Sequence, residues 1–145
     1  MNQRAVEILL IEDNPADLEL TLLTLRKCNV ANAIHVARDG VEALDFLFQR
    51  GAFNGCDFSA PKVVLLDLKL PKVDGLEVLR AIREDERTKL IPVVALTSSK
   101  EQKDIISSYE LHVNSYIQKP VDFEQFQQTV RQLGLYWLVV NQPPE

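Results

Sequence analysis

The chain has little cysteine, little glycine, no long apolar run and no cluster of basic residues. Its two cysteines, Cys28 and Cys56, lie far apart and belong to no C-x-x-C or Cys/His set, which excludes a disulfide framework and a thiolate metal site. They are read as small buried hydrophobes. None of the five glycines builds a phosphate-cradling loop after the first apolar run. That place holds Glu12-Asp13-Asn14-Pro15, which repels phosphate unless a metal intervenes, so a nucleotide- or flavin-binding domain is disfavoured. No apolar stretch approaches the roughly 20 residues of a membrane span. The opening Met-Asn-Gln-Arg leads directly into a strand rather than a secretory segment, so the cytoplasm is the expected compartment. With 16 basic and 21 acidic residues the net charge is −5, and nothing points to nucleic acid or a membrane as partner.

What is present is a repeated alternation of strand and helix over a length suited to one domain. Val6-Glu7-Ile8-Leu9-Leu10-Ile11 reads as a strand. Asn14-Pro15 then gives an N-cap and a first-position proline for a helix carrying Leu18, Leu22 and Leu25. Ile34-His35-Val36-Ala37 is a second strand. Asp39 and Glu42 open its helix as a capping box, with Val41, Leu44 and Phe48 as an apolar stripe ending at Gly51. The third unit is Val63 to Leu66, a loop with Pro71, and a helix entered at Asp74-Gly75 that carries Leu76, Leu79 and Ile82. The fourth runs from Ile91 through Leu96 to a helix with Ile105, Ile106 and Tyr109. The fifth is Ser115-Tyr116-Ile117, then a helix with Phe123, Phe126, Val130 and Leu133 that stops at Gly134. Near-continuous apolar strands alternating with helices predict an α/β doubly wound parallel sheet. The long connection from Arg50 to Lys62 predicts a surface insertion.

The polar residues of interest fall at the carboxyl ends of these strands: Glu12 and Asp13 after the first, Asp67 after the third, Thr97 after the fourth and Lys119 after the fifth. Ligands of open parallel sheets bind at that edge. At about 4 Å and an effective dielectric of about 20, each carboxylate pair repels by about 4 kcal/mol, so three acids there call for a cation or protons. Carboxylates are hard ligands suited to Mg²⁺, which takes only one or two of them together with water and phosphate oxygens. Asp67 is thereby placed to attack a phosphoryl group, with Lys119 and the Thr97 hydroxyl holding its oxygens and an aspartyl phosphate as product.

These residues resemble the receiver domain of two-component response regulators over essentially residues 5 to 134. The resemblance implies a flavodoxin-like (βα)5 fold, residues 1–134 as the receiver, and residues 135–145 as a C-terminal apolar extension with no separate output domain. Glu12 and Asp13 correspond to the acidic pair, Asp67 to the phosphoacceptor, Thr97 to the switch hydroxyl and Lys119 to the lysine before a proline. Mg²⁺, replaceable by Mn²⁺ or Ca²⁺, would be held by Asp13, Asp67 and the backbone carbonyl of Lys69, with Glu12 acting through a bound water. Glu12 stands where the family often has Asp. Tyr116 takes the place of the aromatic rotamer switch coupled to Thr97, and the Lys119-Pro120 bond is expected to be cis. The insertion before the third strand, the Leu-Pro-Lys-Val-Asp-Gly segment and the aromatic tail are similar to the small regulators paired with cyanobacterial phytochrome kinases.

The implied function is acceptance of a phosphoryl group from a sensor histidine kinase on Asp67, switching a surface that an as yet unidentified downstream protein reads. The chain is then not an enzyme beyond its own phosphoryl transfer and slow autodephosphorylation. Two alternatives stay open: a Mg²⁺-dependent phosphohydrolase working through an aspartyl phosphate, and a receiver-like adaptor that is not phosphorylated. Against the first, the position two residues after Asp67, where such hydrolases carry a second acid, holds Lys69. Lys69 and Lys72 otherwise read as solvated loop charges, and His35 and His112 as ordinary structural residues. In the tail, Tyr136 and Trp137 each have on the order of 150 to 250 Å² of surface to bury, and a homodimer through the fifth helix and the extension is expected.

Overall fold

The structure is a computed structural model and describes residues 7–27, 34–55, 60–68, 75–97 and 113–134. The helix expected in the fourth unit, Lys69, Lys72, His112, both cysteines and the extension lie outside the described residues. The elements are β1 (Ile8–Ile11), α1 (Pro15–Lys27), β2 (Ile34–Ala37), α2 (Gly40–Phe48), a 3₁₀ turn (Gly51–Phe53), β3 (Val63–Asp67), α3 (Gly75–Glu84), β4 (Val93–Thr97), β5 (Ser115–Gln118) and α4 (Phe123–Leu133). The five strands form one parallel sheet in the order β2-β1-β3-β4-β5.

The register explains why β1, β3 and β4 are apolar up to the polar residues Asp67 and Thr97 that end the last two. Each is hydrogen-bonded on both sides and covered on both faces, so every residue from Ile8 to Ile11 and from Val63 to Asp67 is buried. Alternate side chains feed two cores. Ile8, Leu10, Val63, Leu65, Val94, Leu96 and Ile117 face α1 and α4 and meet Leu18, Leu25, Phe126 and Val130. Leu9, Ile11, Val64, Leu66, Val93 and Ala95 face α2 and α3 and meet Ala43, Phe46, Val78, Leu79 and Ile82. At about 1.5 to 3 kcal/mol for each large side chain removed from water, these two layers carry the fold.

The helix ends follow their caps. Asn14 Oδ1 accepts from the Asp17 amide at 2.9 Å, and Asp39 Oδ1 accepts from the Glu42 amide at 2.7 Å. Glu42 returns its carboxylate to the amide of Arg38 at 3.4 Å rather than to that of Asp39. Helix α2 ends earlier than expected: Gln49 rather than Gly51 is its C-cap, in the left-handed conformation (φ 55°) with its amide turned back to the helix carbonyls, and Gly51, also at positive φ (55°), opens the 3₁₀ turn that follows. The strand of the fourth unit starts at Val93 rather than Ile91, since Pro92 has no amide to donate and contributes only its carbonyl, to Val64. Gly134 ends α4 in the left-handed conformation (φ 68°), as expected. One residue of the α4 stripe departs from expectation: Phe123, in the first turn, is 45% exposed.

The insertion after α2 is anchored by an aromatic corner. Phe53 of the 3₁₀ turn meets His35 and Phe46 edge-on, each at 5.4 Å between ring centres, and His35 stacks on Phe46 at 4.1 Å. His35 is thus structural, as its sequence context suggests, but its Nε2 is buried without a hydrogen-bond partner.

Candidate functional site

The carboxyl edge of the sheet gathers Glu12, Asp67, Thr97 and Lys119, while Asp13 stands beside them in solvent. Glu12 follows β1, and its amide bonds the carbonyl of Ala37 on the neighbouring strand at 3.0 Å, so the residue is held inward and wholly buried. Asp67 ends β3 and is 3% exposed; Thr97 ends β4 and is 1% exposed. Oxygens of Glu12, Asp13 and Asp67 all lie within 4.8 Å of one another.

Lys119 neutralises part of this charge. Its Nζ donates to Asp67 Oδ2 at 2.9 Å, to Glu12 Oε2 at 3.2 Å and to Asp17 Oδ2 at 3.2 Å. The backbone around the lysine is fixed from several sides. Its amide donates to the Thr97 carbonyl at 2.7 Å, and the Thr24 hydroxyl donates to the Val121 carbonyl at 2.9 Å. Gln125 accepts from the Gln118 amide at 2.9 Å and donates to the carbonyls of Gln118 and Pro120. The Lys119-Pro120 peptide is cis.

The electrostatics are unbalanced toward the acids. Burial, and then the adjoining Asp67 carboxylate, push the Glu12 carboxyl up to about 8 against the pull of Lys119. Burial works against the charge of Lys119, but Asp67 and Glu12 outweigh it and hold the ammonium above its ordinary range. Glu12 Oε1 lies 3.0 Å from Nζ, close enough to pair electrostatically, yet it is buried with no hydrogen bond aligned to it. A buried oxygen left without a donor, among hard oxygen ligands that share a single cation among the described residues, fits a divalent ion.

Two further features position the edge. Gly75, the first residue of α3, has its amide 3.3 Å from the Leu68 carbonyl. A Cβ at that position would lie 2.6 Å from Leu68 Cα and 2.8 Å from the carbonyl of Asp67, so only glycine lets α3 approach the end of β3 this closely. Tyr116 pairs with Ala95 across β4 and β5 and packs on the α2/α3 side, the side to which the alternation of β4 also assigns Thr97. The sheet thus brings together Glu12, Asp13, Asp67, Thr97 and Lys119, and sets Tyr116 on the neighbouring strand. Asp17 was missed in the sequence. Its only signal is a place in the first turn of the helix that starts at this edge, where an acid reads equally as a favourable dipole partner.

A doubly wound parallel sheet whose carboxyl edge gathers three acids around one lysine defines an α/β domain of the receiver class. The chain belongs to the response regulator receiver domain family of two-component systems, whose model matches residues 8–131. It is 44% identical over 137 residues to the probable methanogenesis regulatory protein FilR2 of Methanothrix harundinacea, covering 94% of this chain and 86% of that one. It is 40% identical over 131 residues to response regulator Rcp1 of Synechocystis, covering 90% and 88%. Among solved structures, the bacteriophytochrome response regulator AtBRR superposes with a TM-score of 0.87 at 52% identity, covering 97% of this chain and all (100%) of that one. The Mn²⁺-bound form of Rcp1 superposes with a TM-score of 0.72 at 39% identity, covering 95% and 98%. The expected fold thus stands, and Glu12, Asp13 and Asp67 offer the cluster of oxygen ligands that could hold the expected divalent metal. No helix among the described residues is long and apolar enough to cross a membrane.

Proposed function

We propose that this receiver accepts a phosphoryl group on Asp67 from the phosphohistidine of a sensor kinase and passes the signal on through protein contacts. The observation that carries this reading is the convergence of Glu12, Asp67 and Lys119 from three strand ends, with the lysine ammonium 2.9 Å from the Asp67 carboxylate. In the transfer, an Asp67 carboxylate oxygen forms a bond to phosphorus as the phosphorus–nitrogen bond of the donor breaks. The imidazole nitrogen keeps the electron pair and takes a proton from solvent. Lys119 is in place to neutralise the incoming oxygens, and the Thr97 hydroxyl to donate to one of them. Bound Mg²⁺, on Asp13, Asp67 and the Lys69 carbonyl with Glu12 behind a water, would supply the charge neutralisation that lets a phosphoryl dianion approach three acids.

The product carries about −1.5 to −2 of added charge, which draws Thr97 inward and frees the space beside Tyr116 on the same face of the sheet. The surface around β5 and α4 then changes, and a partner reads it. Similarity to bacteriophytochrome and cyanobacterial phytochrome response regulators supports a phytochrome-type kinase as donor, and the proposal places the chain in the cytoplasm with it. A homodimer through α4 and the extension belongs to the same proposal. Incubation with Mg²⁺ and a labelled acyl phosphate should label the native chain, and Asp67→Asn should remove the label entirely. A label retained by that variant overturns the assignment. Truncation after Gly134 should halve the sedimenting mass, and an unchanged mass refutes the dimer.

A further inference from the structure

We propose that Asp17 is a positioning residue for the phosphoryl transfer: from the first turn of α1 it tethers the Lys119 ammonium at the mouth of the site while the other partners of that ammonium exchange. The inference rests on Asp67 being the phosphoacceptor. A lysine has three protons to donate, and here Glu12, Asp17 and Asp67 take all three. A phosphoryl group on Asp67 brings new acceptor oxygens, so at least one of these bonds must be given up.

The three acids are not equivalent in that exchange. Glu12 and Asp67 belong to the metal-ligating cluster and are spoken for by cation and phosphoryl group, whereas Asp17 lies outside that cluster. It is also the outermost of the three: its side chain is 34% exposed, against 5% for Asp67 and 0% for Glu12. Its backbone is anchored by the bond from its own amide to Asn14 Oδ1. The same helix grips the lysine's loop through Thr24 and Val121. An ammonium on a flexible four-carbon stem that lost this outer tether would turn inward to Glu12, whose Oε1 lies 3.0 Å away with no hydrogen bond aligned to it. Asp17 therefore keeps Lys119 where the phosphoryl oxygens arrive.

The test compares native protein, Asp17→Asn, Asp17→Glu and Asp67→Asn, each checked for an unchanged melting profile without ligand. Labelling by acyl phosphate with Mg²⁺ should slow about tenfold in Asp17→Asn, the scale of a modest misplacement of a charge-stabilising group, and recover most of the way in Asp17→Glu. Affinity for beryllofluoride, a phosphoryl mimic, should fall by a similar factor, while calorimetric affinity for Mg²⁺ alone stays within about twofold. Most of the deficit should persist at high salt, since a hydrogen-bonded contact pair is screened far less than long-range repulsion. Native or faster labelling in Asp17→Asn overturns the inference, because a residue acting only by repelling the anionic donor would raise the rate when neutralised. An equal loss of Mg²⁺ affinity overturns it too, by making Asp17 part of the metal site. Label retained by Asp67→Asn defeats the parent reading. Label lost there, with Asp17→Asn behaving as native, defeats this inference alone.

Discussion

Glu12 at the carboxyl edge and His35 at the β2 margin are both titratable groups with a buried atom lacking a hydrogen bond, and their surroundings differ in one respect. Around Glu12, charged groups converge: two further acids within 4.8 Å and a lysine shared among them. Around His35 stand two aromatic rings, with the charge of Glu42 as the opposing influence. The first arrangement is frustrated and gains from an added cation. The second is content while the imidazole stays neutral. A buried ionisable group marks chemistry when several others point at the same spot, and marks packing when rings do.

Four substitutions bear on that contrast. The largest effect is expected from Phe46→Ala, which removes the ring on which His35 stacks and should cost about 3 to 5 kcal/mol in urea unfolding, without weakening Mg²⁺ binding by the protein that remains folded. Parallel loss of Mg²⁺ affinity would show that corner and edge are not independent. Gly75→Ala should cost about 1 to 3 kcal/mol, since a Cβ there meets the backbone of Leu68, and should also lower the rate of labelling on Asp67. A variant with native stability would mean that the close approach of α3 has no consequence.

The next two concern pH and have opposite signs. The Glu12 value is raised from 4.5 to about 8, so the folded chain keeps a proton that the unfolded chain releases. Stability in the presence of a chelator should therefore decline as pH rises through that window, and Glu12→Gln should flatten the decline. Mg²⁺ binding near neutrality should release up to about one proton, read from calorimetry in buffers of different ionisation enthalpy. For His35, burial lowers the value from 6.5, so the unfolded chain is the one that takes up a proton. Its contribution is complete above 6.5 and is lost as pH falls below it, the smallest effect of the four. His35→Gln should remove this second slope and leave the first, by denaturation at a series of pH values.

Most of the architecture was readable because its signals are local. Asn14-Pro15 and Asp39 are caps that act within a turn, and Val63 to Leu66 is apolar throughout because β3 is central and doubly covered. The candidate site was readable for a different reason: once five strands run parallel, every strand end arrives at one edge, so Glu12, Asp67, Thr97 and Lys119 meet without any pairing having to be guessed. What was not readable depends on contacts across the sequence. Gln49 closes α2 in place of Gly51 because the insertion turns back at once, carrying Phe53 onto His35. Asp17 joins the lysine only because α1 and the loop after β5 lie side by side, and 102 residues separate the two.

The sheet has two margins, β2 and β5, each only four residues long. On β5, the amide and carbonyl of Gln118 are already engaged by the Gln125 side chain, which imitates an adjoining peptide. A visiting strand finds that end of the ladder taken. Strand addition is therefore closed off at that end of β5.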